Sequence, residues 1–408
     1  MSNIFIIDLV KLSSFIFFSM QIYQVMLKDS SEVIISARIV VIKKITMLRF
    51  VKYPLRMRRI MRCISSSDRG ETSMRLVDKH NEFLSMVKYH GEGRITMNKI
   101  KMEEVNNVNT TTNTTTTSNQ EIIEIVIDHK MKRNAISGRM MHDLAMIIDE
   151  LDELHATTHV LNQSTKSVCL ILRGSGMKSF SAGADISLVK DIINDAYRGE
   201  LMCNFMTDAL NRLRQSCLIS VCCINGAAIG GGAELITSCD FRIIIPNSSI
   251  ISRSSDIVYV HYVHAQIGAC PGWGAIGRLL HILNNNRQLV IQLVAGSIKV
   301  DPSHALEIGL VDALMDPFNT TIDGLSSDDY DHAYDQYCRE ACISFLHPYL
   351  SQKYPSSVKA IKQAIAAYEY LSPSDAEAVE KAMFKTRWGN VDNKEAIRNK
   401  FPTISSIK

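Results

Sequence analysis

The sequence lacks the cysteine and histidine patterns of a metal-binding protein. Its ten cysteines include no C-x-x-C pair, and its histidines complete no zinc-ligand spacing. Several cysteines, such as Cys169, Cys222 and Cys223, lie within apolar stretches, which is typical of reduced core thiols in an intracellular protein. We therefore expect no metal site.

Long uninterrupted apolar runs are also missing. Four polar residues interrupt the most apolar stretch near the start, residues 4–27: Asp8, Lys11, Gln21 and Gln24. A membrane-spanning helix needs about 18 or more consecutive apolar residues, so no span is predicted. A secretory signal peptide also fits poorly, because Asp8 comes early and no basic segment precedes the apolar one.

The net charge of +3 hides an asymmetry along the chain. Residues 1–101 contain 18 Lys and Arg against 8 Asp and Glu, a charge of +10, whereas the remainder contains 27 against 34, a charge of −7. We predict that residues 1–74 form a basic extension that is disordered or serves in targeting. Its Arg-rich part, 47–67, has the composition of a mitochondrial presequence, provided that Met47 is a translation start.

A basic extension could also attract nucleic acid without sequence preference. A non-catalytic or RNA-binding protein therefore remains an alternative interpretation, although no specific nucleic-acid partner is predicted. Residues 106–119 are rich in Thr and Asn and are expected to form a flexible loop.

The middle of the chain alternates strand and helix patterns, which indicates an α/β fold. Continuous apolar runs at 168–172 and 218–224 predict strands that are buried on both faces, and 121–127 predicts a third strand. Ser137 is a suitable cap for a helix over about 139–154.

The second of these strands leads into a glycine-rich turn. Asn225 and Gly226 end the strand, and the triplet 230–232 is all glycine. Glycine allows backbone angles closed to other residues and a close approach by a ligand. If a helix follows, its free N–H groups could hold an oxyanion, although a turn that merely packs closely is the alternative.

The first strand leads into a related segment, Phe180-Ser181-Ala182-Gly183-Ala184-Asp185. Together with the later Asn225-Gly226-Ala227-Ala228-Ile229-Gly230-Gly231-Gly232-Ala233-Glu234-Leu235, in this order and at this spacing, it closely resembles the enoyl-CoA hydratase/isomerase (crotonase) family.

The resemblance implies a crotonase-type ββα spiral core over residues 75–275 and a C-terminal helical trimerisation region over 276–408. It also implies an oxyanion hole made by the N–H groups of Ala184 and Gly231. Five further residues are expected to bind substrate: Ala182, Gly183, Asp185, Gly230 and Lys132. Lys132 would face a CoA phosphate, unless it is an ordinary surface charge. The substrate would be an acyl-CoA thioester, with CoA as part of the substrate and no separate cofactor, and the assembly a homotrimer or hexamer.

The expected acid and base residues depart from the common pattern of that family. Its hydratases use two glutamates; the first corresponds to Glu234, whereas His264 stands at the position of the second. Adding water to a double bond requires two positioned groups, so hydration and isomerisation are disfavoured. An enoyl-CoA hydratase or isomerase nevertheless remains the alternative to the function that is argued next.

Loss of CO2 from a 2-carboxyacyl-CoA would form an enolate without any base. Glu234 could then protonate the enolate if a dry site keeps it protonated. His264 could instead bind the departing carboxylate, give the proton, or only pack.

Three features resemble the members of the family that decarboxylate ethylmalonyl-CoA and, more weakly, methylmalonyl-CoA, a role in metabolite repair. These are His264, the stretch from Gly230 to Arg242, and Trp388-Gly389 with the segment that follows. Insertions near 251–263 and 317–335 interrupt the resemblance. For the cellular location, the resemblance favours the cytosol, whereas the 47–67 segment favours the mitochondrion.

Overall fold

The computed structural model describes residues 67–101, 121–161, 167–246, 258–318 and 326–400. The predictions for residues 1–66, for the loop at 106–119 and for most of the 251–263 insertion therefore lie outside the described residues. In the described part of the chain, no helix is both long and apolar enough to cross a membrane.

The described strands are β1 (Arg94–Lys101), β2 (Glu121–Asp128), β3 (Ser167–Gly174), β4 (Ser179–Ser181), β5 (Ile219–Ile224), β6 (Ala227–Ile229), β7 (Phe241–Ile244), β8 (Val260–His261), β9 (Lys299–Val300) and β10 (Ala313–Leu314). The described helices are α1 (Ser67–Val87), α2 (Gly138–Leu161), α3 (Ile186–Asp191), α4 (Ala196–Arg214), α5 (Gly231–Leu235), α6 (Ala275–Ile282), α7 (Arg287–Val294), α8 (Pro302–Glu307), α9 (Ser327–Leu350), α10 (Pro355–Tyr370), α11 (Pro373–Arg387) and α12 (Val391–Lys400).

Two sheets are built by strands that alternate between them. The order in the larger sheet is β1-β2-β3-β5-β7-β10, parallel except for the antiparallel pair β1–β2. The order in the smaller sheet is β4-β6-β8-β9, with β8–β9 antiparallel. Three successive turns of the chain share one order, in which a strand of the larger sheet is followed by one of the smaller sheet and then by a helix: β3–β4, β5–β6 and β7–β8. The predicted ββα spiral is therefore confirmed.

Both faces of the larger sheet are buried, as the continuous apolar runs predicted. Along β3, Leu170 and Leu172 belong to a core that includes the smaller sheet and the helices of the spiral. Their neighbours Cys169 and Ile171 belong to a second core on the opposite face. The alternation follows from the two-residue period of a strand, so a sheet covered on both sides needs apolar residues throughout.

The second core is closed by α9, a helix that the sequence analysis missed. Its residues Tyr334, Cys338, Cys342 and Leu346 recur every four positions and are fully buried. The acidic segment near 317–335 was interpreted as an insertion, but from Ser327 onward it is helical. Aspartates in its first turn suit the positive end of the helix dipole. Because the segment begins with these charges, the apolar four-residue repeat that follows was not recognised as a helix.

The C-terminal region is helical, as the resemblance implies. It contains α6, α7 and α8, which are followed by α9 to α12. Ser372 caps α11 by accepting a hydrogen bond from the N–H of Asp375. At the other end, α1 crosses the domain boundary predicted at residue 74, and its Phe83 packs against Phe205, with ring centroids 5.1 Å apart.

A buried ion cluster ties α9 to the larger sheet. Glu124 on β2 is fully buried and accepts hydrogen bonds from Arg173 at 2.8 Å and from Arg339 of α9 at 3.0 Å. Burial raises the pKa of Glu124, but the two guanidinium groups outweigh burial and hold its pKa below the ordinary value. The carboxylate therefore contributes stability in its charged form.

We expect Glu124→Gln to lower the free energy of unfolding by about 3 kcal/mol at pH 7, because it leaves the buried Arg173 with Asp335 as its remaining carboxylate partner. Since the folded-state pKa is depressed, this contribution is complete above the unfolded pKa and is lost as pH falls through the folded pKa. The difference between the two proteins should therefore shrink at acid pH. Urea unfolding at several pH values measures it.

The matched control is Glu377→Gln, which breaks an exposed pair with Lys381 on α11. Its unfolding midpoint should match that of the unmodified protein, since exposed pairs contribute little. Equal midpoints for Glu124→Gln and Glu377→Gln at pH 7 would contradict the role assigned to the ion cluster.

Candidate active site

The first wall of the site is the turn that follows β4. The carbonyl of Gly183 accepts a hydrogen bond from the N–H of Ile136 at 2.7 Å, and the N–H of Asp185 donates to the carbonyl of Ile136 at 2.9 Å. These two bonds form a short parallel bridge between Ile136 and Ala184. The bridge does not use the N–H of Ala184, which lies between them in the chain.

The second wall is the glycine triplet between β6 and α5. Gly230 has a positive φ of 55°, and Gly231 is the first residue of α5. The helix that could follow the triplet therefore begins within it, and it is only five residues long. At the first turn of a helix the N–H groups have no acceptor within the helix, so the N–H of Gly231 is free of intrahelical bonding.

The two walls touch each other, and the contact requires glycine. A Cβ atom on Gly183 would lie 2.7 Å from the nitrogen of Gly231 and 2.9 Å from the carbonyl oxygen of Ile229. A Cβ on Gly232 would collide with the carbonyl oxygen of Ser181. Side chains at these positions would separate the walls, so the glycines bring the two segments that carry Ala184 and Gly231 together.

The other predicted backbone groups of the site already have partners. The N–H of Ala182 donates to the carbonyl of Arg133 at 3.0 Å, and the N–H of Gly230 donates to the carbonyl of His261 at 2.9 Å. The N–H of Gly183 donates to the hydroxyl of Ser181 at 3.2 Å. Ala182, Gly183 and Gly230 therefore shape the site. That the N–H groups of Ala184 and Gly231 hold a bound carbonyl, as the resemblance implies, stays a prediction.

Asp185 holds the first wall in place. Its carboxylate caps α3 by accepting from the N–H of Ser187 at 2.9 Å, and it accepts from Nζ of Lys132 at 2.8 Å. Burial raises the pKa of Asp185, but the bonds from Lys132 and Ser187 outweigh it, so its pKa lies below the ordinary value. Lys132 was predicted to face a CoA phosphate; its ammonium is paired with Asp185, although its side chain remains 47% exposed.

Glu234 is the buried carboxylate of the site. Its Oε2 accepts from the N–H groups of Trp273 at 2.8 Å and Ala275 at 3.3 Å, and its Oε1 accepts from the N–H of Gly272 at 3.2 Å. Oε1 also lies 3.1 Å from Nε2 of His264. Three backbone N–H donors and one imidazole nitrogen therefore surround the two oxygens. The expectation that a protonated Glu234 donates to an enolate stays a prediction.

His264 is the partner of Glu234 and lies shortly after β8, an inner strand of the smaller sheet. It is buried, and one ring nitrogen, Nε2, contacts the carboxylate. The other ring nitrogen, Nδ1, is buried and has no hydrogen-bond partner within the described residues. Because the carboxylate accepts from Nε2, Nδ1 is the atom of this histidine that is available for a substrate.

Sequence reasoning missed three residues that surround this pair. Trp273 is 2% exposed, and three of its ring carbons would lie 2.6–3.0 Å from a Cβ on Gly231. Arg278 is buried in α6, and Tyr262 has a buried hydroxyl without a partner in the described part of the chain. Burial raises the pKa of Tyr262, and the nearby Glu234 raises it further. The signal for Arg278 was a single charge in an apolar helix.

Within the described ranges, no group of three or more His, Cys, Asp and Glu side chains could hold a metal ion. Trp388, which the resemblance singled out, is 65% exposed and stacks on Phe384 with ring centroids 5.3 Å apart.

Comparison with known proteins agrees with this architecture. The family model described as enoyl-CoA hydratase/isomerase matches residues 117–319. The ethylmalonyl-CoA decarboxylase of Xenopus tropicalis is 34% identical over 277 residues, which are 68% of this chain and 79% of that protein. The human ethylmalonyl-CoA decarboxylase is 30% identical over 276 residues, 68% of this chain and 77% of that protein.

Among solved structures, the enoyl-CoA hydratase of Bacillus anthracis superposes with a TM-score of 0.52 at 20% identity, covering 68% of this chain and 91% of that one. At this identity the superposition supports the fold alone. The match to the family model, the identity to the decarboxylases over more than three quarters of their length, and the paired glycine walls agree: the chain belongs to the enoyl-CoA hydratase/isomerase family.

Proposed function

We propose that this protein decarboxylates a 2-carboxyacyl-CoA, ethylmalonyl-CoA first and methylmalonyl-CoA more weakly, through an enolate held by Ala184 and Gly231. The observation that carries the proposal is the Glu234–His264 pair. Hydration would need two groups free to act on water and substrate. Here the oxygens of Glu234 are taken by N–H donors, and a histidine stands beside it.

The thioester oxygen would accept hydrogen bonds from the N–H groups of Ala184 and Gly231. When the bond between C2 and the carboxylate breaks, its electron pair moves into the enolate and the oxygen gains negative charge. Fixed N–H donors stabilise that charge without reorganisation. CO2 leaves, and no base is consumed in this step.

His264 would complete the reaction. Its Nε2–H remains bonded to Glu234, whose charge stabilises the imidazolium form of the ring. The Nδ1–H of the imidazolium would first pair with the substrate carboxylate and then pass its proton to C2, giving the saturated acyl-CoA and a neutral histidine that regains a proton from solvent. Glu234 is then a positioning residue, and CoA is needed only as part of the substrate.

Members of the family that carry this activity are named for ethylmalonyl-CoA. We extend that substrate to this chain, together with a repair role in the cytosol and a homotrimeric or hexameric assembly. Exposed apolar residues on α10–α12, such as Ile365, Phe384 and Val391, are compatible with the assembly. A monomer at micromolar concentration in analytical ultracentrifugation would contradict the proposed assembly.

The direct test supplies three substrates to the purified protein: ethylmalonyl-CoA, methylmalonyl-CoA and crotonyl-CoA. We expect CO2 and butyryl-CoA from the first, slower CO2 release from the second, and no measurable hydration of the third. Hydration of crotonyl-CoA without CO2 release from either malonyl thioester would instead establish the hydratase alternative.

The oxyanion hole is tested at Ala184. Ala184→Pro removes one of the two N–H donors, and loss of one such donor lowers kcat by about 10²–10³-fold. Gly231→Pro is less informative, because its added atoms would also meet the Trp273 ring. The matched control Ala184→Gly keeps the N–H and should stay close to the unmodified rate. A correctly folded Ala184→Pro protein, checked by circular dichroism, with full turnover would rule out the hole.

The pair itself is tested with three variants. His264→Gln removes the proposed proton donor and should lower decarboxylation by about 10²–10⁴-fold. Glu234→Gln keeps the shape of the side chain but replaces one carboxylate oxygen with an NH2 group, which cannot accept a hydrogen bond. Because His264 then loses the carboxylate that positions it, we expect a comparable loss. His264→Glu should also depress decarboxylation, since it would repel the substrate carboxylate. CO2 release is measured for each; an unaltered rate in His264→Gln would exclude the histidine from the chemistry.

A further inference from the structure

Arg278 is a buried cation whose hydrogen bonds all go to neutral groups. It lies on α6 and is 2% exposed. Its Nε donates to the Thr237 hydroxyl at 2.8 Å, one terminal nitrogen donates to the Asn211 amide oxygen at 2.9 Å, and the other to the carbonyl of Trp273 at 2.5 Å. No carboxylate of the described residues lies within hydrogen-bond distance of the guanidinium.

Burying a charge without an adjacent counter-charge is costly, so such a group calls for an explanation. Burial lowers the pKa of Arg278, and the negative charge of Glu234 acts in the opposite direction. Three directed hydrogen bonds to neutral groups hold the guanidinium in this position.

Arg278 also holds the residue that contacts both parts of the site. The N–H of Trp273 donates to Oε2 of Glu234, and its ring packs against the Cα of Gly231. Its carbonyl is the group that Arg278 binds. The peptide groups on both sides of Trp273 are thus fixed, the first by Glu234 and the second by Arg278.

Arg278 also contacts the segment that follows α5. The hydroxyl of Thr237 donates to the carbonyl of Glu234 at 2.6 Å and accepts from Nε of Arg278. One guanidinium therefore connects the loop before α6 with the turn that follows α5. The site between them contains Gly231 and Glu234.

We propose that Arg278 is a positioning residue of this site: it fixes the Trp273 peptide and, through the Thr237 hydroxyl, the backbone of Glu234, and it acts on the substrate only through Trp273 and Glu234. The kinetic part of the inference rests on the proposed decarboxylation. The structural part, that Arg278 holds the Trp273 ring against Gly231, does not.

The kinetic test uses Arg278→Lys and Arg278→Gln. Lysine keeps the charge but cannot make three bonds in fixed directions, and glutamine keeps neither property. Misplacing catalytic groups by about 1 Å can cost about 10²-fold, so we expect kcat to fall by about 10- to 100-fold, more for glutamine. KM should change little, because Arg278 does not contact the substrate.

Arg242→Met is the matched control. Arg242 is also a buried arginine, but it pairs with Asp312 at 3.0 Å and binds the carbonyl of Leu310 at 2.8 Å, outside the Glu234 cluster. It should lower stability without lowering kcat. If kcat falls equally in Arg242→Met and the Arg278 variants, the effect is one of general destabilisation, and the proposal fails.

A second measurement does not depend on activity. The sequence contains two tryptophans, Trp273 and the exposed Trp388. In a Trp388→Phe background the fluorescence reports Trp273 alone. We expect emission typical of a buried ring with little acrylamide quenching, and a red shift with stronger quenching when Arg278→Lys or Arg278→Gln is added. An unchanged spectrum in both would overturn the proposal.

A double-mutant cycle completes the test. If Arg278 acts through Glu234, the losses of Arg278→Lys and Glu234→Gln should not multiply in the double variant. Fully multiplicative losses would show that the two residues act independently and would contradict the proposal. If the unmodified protein releases no CO2 from the malonyl thioesters, the proposed function fails, whereas the fluorescence measurement still decides whether Arg278 holds Trp273.

Discussion

The site depends on a contact in which there is no room for a side chain. Gly183 lies against the backbone of Gly231, and Gly232 lies against Ser181. These contacts bring together two turns from successive units of the spiral, each of which ends a strand of the smaller sheet. The N–H groups of Ala182, Gly183 and Gly230 are already bonded, which is why we assign the proposed oxyanion hole to Ala184 and Gly231. Two such donors would stabilise an enolate.

The surroundings of Glu234 then restrict the chemistry. Backbone donors from the loop before α6 hold the carboxylate, and His264 takes one further position beside it. Both oxygens of Glu234 are thus occupied, whereas Nδ1 of His264 is buried without a hydrogen-bond partner among the described residues. This difference between the two side chains is why we assign the proton transfer of the proposed reaction to the histidine.

The larger sheet provides the rigid base for these turns. Its strands are apolar on both faces because helices of the spiral cover one side and α9 covers the other. Glu124, Arg173 and Arg339 join α9 to the strands that precede the first glycine turn, so the helix is part of the support for the site. Catalytic geometry in such a fold is set by backbone positions, which a rigid sheet defines better than mobile loops do.

The sequence by itself determined the strands and the glycine turns, because these depend on local periodicity and on motifs read along the chain. It also named Ala184, Gly231, Glu234 and His264 as candidates, and the structure places Glu234 beside His264. It did not predict α9, whose apolar stripe has an acidic start, nor the contacts of Trp273 and Arg278. The partners of a buried carboxylate come from distant segments, here residues 264 and 272–275, and only the tertiary structure decides which of them meet it.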